Sequence, residues 1–244
     1  MTGPDVTGPP PIEAGDAVFL DFDGTLTAHQ DDPETVFLVP GMGGVLEQLA
    51  GRLEGALALI SGRDPRDLER RVPAGLWRLG NHGLVCLPPG TKAPEGAPTA
   101  PDDVRDVFYG LEARHQGVRV EEKGPVLALH YRQAPGLGAE LADVLTPLDL
   151  SACGYSLQAG KYLFEAKPGG ANKGAALARM MDRAPFAGRR PVMIGDDTTD
   201  EDAFAAANAL GGLTIKVGDG RTQAACRLGS VGDVHDYLRR AAGA

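Results

Sequence analysis

Two short apolar runs that each end in clustered acids constrain this chain more than any other feature. Val18-Phe19-Leu20 leads into Asp21-Phe22-Asp23-Gly24-Thr25, and Pro191-Val192-Met193-Ile194 leads into Gly195-Asp196-Asp197-Thr198-Thr199-Asp200. Apolar runs of this length read as buried strands, and in an open α/β sheet the carboxyl ends of strands form the ligand crevice. Acids from both strands would converge there. Alone, Asp-Phe-Asp-Gly-Thr is an ordinary acidic turn. The second cluster changes that reading, because two carboxylates near 4 Å repel by roughly 4 kcal/mol at an effective dielectric near 20. A bound divalent cation relieves the repulsion. Oxygen-only ligands with open water positions favour magnesium, and no His/Cys group has zinc-site spacing. In such a pair, one of Asp21 and Asp23 can attack while the other handles protons.

The 244 residues, 43% of them hydrophobic, suffice for one substantial core and a smaller second one. A formal charge of −9 argues against a nucleic-acid or anionic-membrane surface and leaves room for a local phosphate pocket. Cys86, Cys153 and Cys226 are odd in number and far apart, as expected of reduced, buried thiols in a cytoplasmic protein. No secretory or membrane-spanning run appears, and residues 1–15 read as a mobile Pro/Gly-rich tail. The expected species is a monomer with a small-molecule substrate.

The periodicity predicts a strand at 17–21, a helix at 42–53, a strand at 56–60, and a helix opened by Asp64 as N-cap with Pro65 at its first position. Strand-helix alternation implies parallel pairing. A Pro/Gly-rich break from Pro88 to Pro101 then introduces a different pattern. It comprises a helix near 102–115, a hairpin around Lys123-Gly124, a helix at 138–146, and a hairpin around Gly160-Lys161. The alternation resumes after Asn172, with strands at 191–195 and 213–217. The expectation is a discontinuous core, 16–87 and 166–244, split by an αββαββ insert at 88–165.

Ser61 follows the third apolar run, Leu57-Ala58-Leu59-Ile60, where its hydroxyl would meet a phosphate oxygen. Lys173 opens a helix, an unfavourable place for a cation unless an anion lies nearby. In order, Asp21-Phe-Asp-Gly-Thr, Ser61, Lys173 and Gly195-Asp-Asp-Thr-Thr-Asp resemble the four motifs of the haloacid dehalogenase superfamily of phosphotransferases. Within it the chain is most similar to the trehalose-6-phosphate phosphatases, through Ser61-Gly62-Arg63, Asn81-His82-Gly83, His130-Tyr131-Arg132-Gln133-Ala134-Pro135, Gly160-Lys161-Tyr162-Leu163-Phe164-Glu165-Ala166-Lys167-Pro168, Lys173-Gly174 and Gly195-Asp196-Asp197-Thr198-Thr199-Asp200-Glu201-Asp202. The resemblance implies a Rossmann-like doubly wound α/β core with an inserted α+β cap. It implies Asp21 as nucleophile, Asp23 as acid and base, and Ser61 and Lys173 on the phosphoryl oxygens. It also implies magnesium on Asp21, Asp23 (through its carbonyl) and Asp196, with Asp197 or Asp200 in support. Substrate contacts would come from Gly24, Thr25, Gly62, Arg63 and His82, and from Arg132, Lys161 and Glu165 of the cap, with His130 helping to position it.

One departure stands out: the family usually reads His-Gly-Ala-Glu where this chain has His82-Gly83-Leu84-Val85. That opens a pseudodisaccharide, sucrose or glycosyl-glycerate phosphate as an alternative substrate. A phospho-accepting signalling domain is a remote alternative with no use for Asp23 or a cap. A dinucleotide-binding oxidoreductase lacks its Gly-x-Gly-x-x-Gly turn, since Gly41-Met42-Gly43-Gly44 misses the third glycine.

Overall fold

The computed structural model describes residues 8–30, 32–95 and 99–243. The chain forms two compact units, one built from residues 1–93 and 172–244 and the other from Pro94–Ala171.

In the first unit, β1 (Asp16–Leu20), α1 (Met42–Arg52), β2 (Leu57–Ile60), α2 (Pro65–Arg71), β3 (Trp77–Gly80) and β4 (Val85–Leu87) precede the insert. The second unit supplies α3 (Asp102–Arg114), β5 (Arg119–Lys123), β6 (Val126–His130), α4 (Gly138–Leu145), β7 (Tyr155–Gly160) and β8 (Leu163–Pro168). The first unit resumes with α5 (Lys173–Met181), β9 (Arg190–Gly195), α6 (Thr198–Ala209), β10 (Leu213–Val217), β11 (Cys226–Leu228) and α7 (Val231–Ala242).

The first unit's sheet has the order β11-β10-β9-β1-β2-β3-β4, parallel except for β4 against β3. Val18, Phe19, Leu20, Leu57 to Ile60 and Val192 to Ile194 have no solvent exposure. Parallel strands covered on both faces need such unbroken apolar runs, which is why they were legible. From β1 the strand order grows toward β2 on one side, while β9 and β10 lie on the other. The carboxyl ends of β1 and β9 therefore flank the topological switch point. The Asp64 carboxylate caps α2 by accepting from Arg66 N at 2.8 Å, with Pro65 at the first helical position.

Three boundaries differ from the sequence expectation. The described part of the N-terminal segment is packed: Ile12 is buried, Tyr237 Oη donates to Pro10 O at 2.6 Å, and Arg189 Nη1 donates to Ala14 O at 2.8 Å. Residues 1–7 lie outside the described residues. The Pro-rich stretch begins inside the first unit, because Gly90 N donates to Ala74 O at 2.7 Å and Ala93 N to Glu69 Oε2 at 3.1 Å. The insert ends at Ala171 rather than at 165, since β8 pairs through Pro168 with β7. Strands β3, β4 and β11 have no periodic signature; Trp77-Arg78-Leu79-Gly80 even carries a fully buried arginine.

The insert is an antiparallel sheet, β5-β6-β8-β7, with α3 and α4 on one face. Phe108, Leu111, Leu141 and Leu145 pack there against Leu127, Leu129, Phe164 and Ala166.

Candidate active site

The two acidic turns and two cations meet at the carboxyl ends of β1 and β9. Lys173, the first residue of α5, donates from Nζ to Asp21 Oδ1 and Asp200 Oδ1, both at 2.7 Å, and is 3% exposed. Asp200 Oδ2 accepts from Asp196 N at 2.9 Å and Asp197 N at 3.0 Å. Carboxylate oxygens of Asp21, Asp196 and Asp200 lie within 4.8 Å of one another, so the three could hold a metal ion. Gly24 makes the approach possible. Its φ is +86°, and a Cβ there would stand 2.2 Å from Asp196 Oδ2.

Burial pushes the Asp21 carboxyl well above the ordinary range; Lys173 opposes this, and Asp200 and Asp196 add to it. Burial likewise raises Asp200, to about 7, against the pull of Lys173. Burial disfavours the Lys173 ammonium too, yet Asp200 and Asp21 hold its pKa well above the usual lysine value. A buried cluster with more acids than bases is a natural seat for a cation.

Asp197 stands apart from this cluster. Its Oδ1 caps α6, accepting from Thr199 N at 2.8 Å and Asp200 N at 3.2 Å, in a capping box with Asp200. Burial opposes its ionisation, but Lys173 and the Thr199 bonds hold its pKa below normal. The Asp23 carboxylate also turns away, toward Arg63. Thr25 Oγ1 donates to Asp196 Oδ1 at 3.4 Å.

Ser61 follows β2 and is 1% exposed; its Oγ accepts from Arg63 N at 3.1 Å. His82 N donates to Ser61 O at 2.9 Å and Asn81 N to Arg63 O at 2.9 Å. Those bonds hold Asn81 and His82 at φ of 49° and 55°, a left-handed geometry that costs side-chain-bearing residues about 1–3 kcal/mol each. The His82 ring lies over Gly62, where a Cβ would meet it at 2.8 Å. The segment after β2, with Ser61 and Gly62, and the one after β3, with His82, thus pack against each other. Two neighbours escaped sequence reasoning. His29 Nε2 lies 3.1 Å from Asp196 Oδ2, and Lys216 of β10 donates to the Asp196 carbonyl. Neither sits in a local pattern that could have marked it.

Residues 19–227 match the trehalose-phosphatase family model. The chain belongs to the trehalose-phosphatase family. It is 40% identical over 243 residues to the trehalose-6-phosphate phosphatase of Escherichia coli (strain K12), spanning 98% of this chain and 90% of that protein. It is 38% identical over 205 residues to a protein of Sinorhizobium fredii (strain NBRC 101917 / NGR234) named "Probable trehalose-phosphate phosphatase", spanning 83% and 77%. The C-terminal domain of a C. albicans trehalose-6-phosphate phosphatase shares the fold, with a TM-score of 0.79 at 23% identity over 96% of this chain and 98% of that one. The doubly wound parallel core expected from the sequence is the fold this chain adopts.

In the insert, the hairpin around Gly160-Lys161 separates the two residues that the resemblance gave as sugar contacts, Lys161 and Glu165. Lys161 lies in the exposed turn between β7 and β8, whereas Glu165 is 5% exposed within β8. Glu165 Oε1 accepts from Lys123 Nζ at 3.0 Å. Alternation places Glu121, Lys123, His130, Gln158, Glu165 and Lys167 on the sheet face opposite α3 and α4. His130 Nε2 is 2.8 Å from Glu121 Oε2, and Lys167 donates to Gln158. Arg132 follows β6 and is exposed. Glu121, Lys123 and Gln158 were missed, and Lys167 was given no role, because their pairing is set by strand register across the hairpins.

A separate charge cluster tops α2. Burial would raise Asp67, but Arg71 and Arg63 hold its carboxyl down at about 2, below the ordinary value of 3.8. A depressed folded pKa contributes stability that is complete above about pH 4 and is lost as pH falls toward 2. Asp67→Asn should therefore flatten the loss of urea stability between those pH values. An acid limb identical to wild type would show that Asp67 does not contribute to it.

Proposed function

We propose that the protein is a magnesium-dependent phosphatase that converts trehalose 6-phosphate and water to trehalose and phosphate. The observation that carries the chemistry is the buried Lys173 bridge between Asp21 and Asp200, in a chain of the trehalose-phosphatase family. An Asp21 oxygen attacks phosphorus as the bond to the sugar oxygen breaks, and Asp23 gives its proton to the departing alkoxide. A water then attacks the aspartyl-phosphate. Its proton passes to the Asp23 carboxylate, phosphate leaves, and Asp21 is restored. The Ser61 hydroxyl and Lys173 ammonium bind the phosphoryl oxygens through both steps.

The oxygen-only donor set fits a hard cation. Asp21 and Asp196, supported by Asp200, would hold magnesium, which when bound neutralises charge on the phosphoryl group. We assign recognition of the sugar hydroxyls to the polar face of the insert, where Lys123 and Glu165 already pair, together with Lys161. Three free cysteines fit a reducing compartment, so we propose that the reaction is cytoplasmic. No helix among the described residues is long and apolar enough to cross a membrane.

One observation favours a second substrate. Val85 opens β4 where the family usually carries a carboxylate, and losing a polar contact relaxes discrimination between hydroxylated sugars. Phosphate release from trehalose 6-phosphate, glucose 6-phosphate, sucrose 6-phosphate and a glycosyl-glycerate phosphate decides between them. The expected result is a strong preference for trehalose 6-phosphate that chelator abolishes and magnesium restores. Preference for another sugar would reassign the substrate, and full activity in chelator would remove the metal.

A further inference from the structure

Resemblance makes Arg63 a substrate contact, but its fork is directed at this chain's own acids. Nε and Nη2 donate to Asp23 Oδ2 and Oδ1, both at 2.7 Å, while Nη1 donates to Asp67 Oδ2 at 2.6 Å. Nη2 also reaches Pro33 O at 3.2 Å, and Cζ lies 5.4 Å from the centre of the Phe22 ring. A planar guanidinium gripping both oxygens fixes the plane of the carboxylate, which a lysine ammonium cannot do. Each Asp23 oxygen keeps a second lone pair for a proton or a leaving group.

Asp67 is anchored more firmly still. Its carboxylate also accepts from Arg71 Nε at 2.8 Å and Arg70 Nη2 at 2.7 Å. The buried Arg71 in turn donates to the carbonyls of Glu34, at 3.2 Å, and Val36. Asp23 lies beyond the end of β1, on a turn with no helix of its own. The Asp67-Arg63 link ties it to α2.

Building on the phosphatase reading above, we propose that Asp67 is a positioning residue: it aligns Arg63, and Arg63 orients the Asp23 carboxyl toward the oxygen of the leaving group. Asp67 itself touches no substrate. Its loss damages proton delivery to the alcohol and leaves attack by Asp21 intact. In that first step, substrates whose leaving group needs no proton are spared, whereas hydrolysis of the aspartyl-phosphate, which uses Asp23 as base, slows alike for every substrate.

The test compares wild type, Asp67→Asn and Arg63→Lys on trehalose 6-phosphate, an alcohol ester, and on p-nitrophenyl phosphate, whose phenolate leaves unprotonated. In both variants the single-turnover rate of alcohol release from the sugar phosphate should fall by about 100-fold, the scale of a misplaced catalytic group, with that of p-nitrophenolate release and with substrate affinity changed less than about threefold. Equal losses in these two first-step rates would make the network merely structural and overturn the proposal. So would unchanged kinetics, or a raised KM at constant kcat, which would return Arg63 to substrate binding. If Asp67→Asn fails to fold by circular dichroism, Arg63→Lys, which keeps the charge and loses the fork, decides alone. A wild-type enzyme that releases phosphate from neither ester would overturn the phosphatase reading and this inference with it. An active wild type with uniform losses in the variants overturns only the positioning role.

Discussion

Asp21→Asn is expected to abolish phosphate release while the protein stays folded. In the reading proposed above the carboxylate is the attacking group, and an amide oxygen neither carries the charge nor forms a labile acyl phosphate. Removing a covalent nucleophile lowers kcat on the order of a million-fold. The fold should tolerate the change because Asp21 is buried beside Asp200 and Asp196, whose charges and burial already oppose its ionisation. Asn keeps an acceptor for Lys173 Nζ, now 2.7 Å from Asp21 Oδ1. A melting temperature at or above wild type, with no burst of alcohol release, is the expected pair of results. Turnover within tenfold of wild type would instead remove Asp21 as nucleophile and leave the acidic cluster as a metal platform for direct attack by water.

Lys173→Met should damage both activity and stability, which distinguishes it from the first variant. The ammonium serves two buried carboxylates, and methionine fills its volume without donating. Breaking a buried ion pair from one side costs about 3–5 kcal/mol, because the surviving charge is left without its partner. Loss of one positively charged contact to the phosphoryl group should lower kcat by about 100- to 1,000-fold, the scale of an oxyanion donor. Urea unfolding in chelator isolates the stability effect, since no added cation can then substitute for the missing charge. Full stability there would mean that Asp21 and Asp200 do not need Lys173 in the folded state. Full activity would exclude its contact with the phosphoryl group.

The legible parts of the fold are those in which one short segment carries its own signal. Strand β2 and the runs 17–20 of β1 and 191–194 of β9 are apolar because both sheet faces are covered, and Asp64-Pro65 marks a helix start by local hydrogen bonding alone. The insert's αββαββ order could be read because helices and hairpins change period within a few residues. Strand β3 could not be read, because Arg78 interrupts its apolar pattern and is buried all the same. The hairpin around Gly160-Lys161 was legible, but spacing could not reveal that Glu165, within β8, is buried and pairs with Lys123 of β5.

The motifs similarly named Asp21, Ser61, Lys173 and Asp196 from residues that lie close together in sequence. They could not say which oxygen meets which donor. That Asp200 meets Lys173, that Asp23 is gripped by Arg63, and that His29 and Lys216 border Asp196 are consequences of strand order. The sequence by itself determined the apolar strands, the acids at their ends and therefore the class of chemistry, because these depend on residue type and local spacing. Only the tertiary structure decided the partners of each charge, because pairing depends on which strand ends lie side by side, a long-range result of packing the whole core.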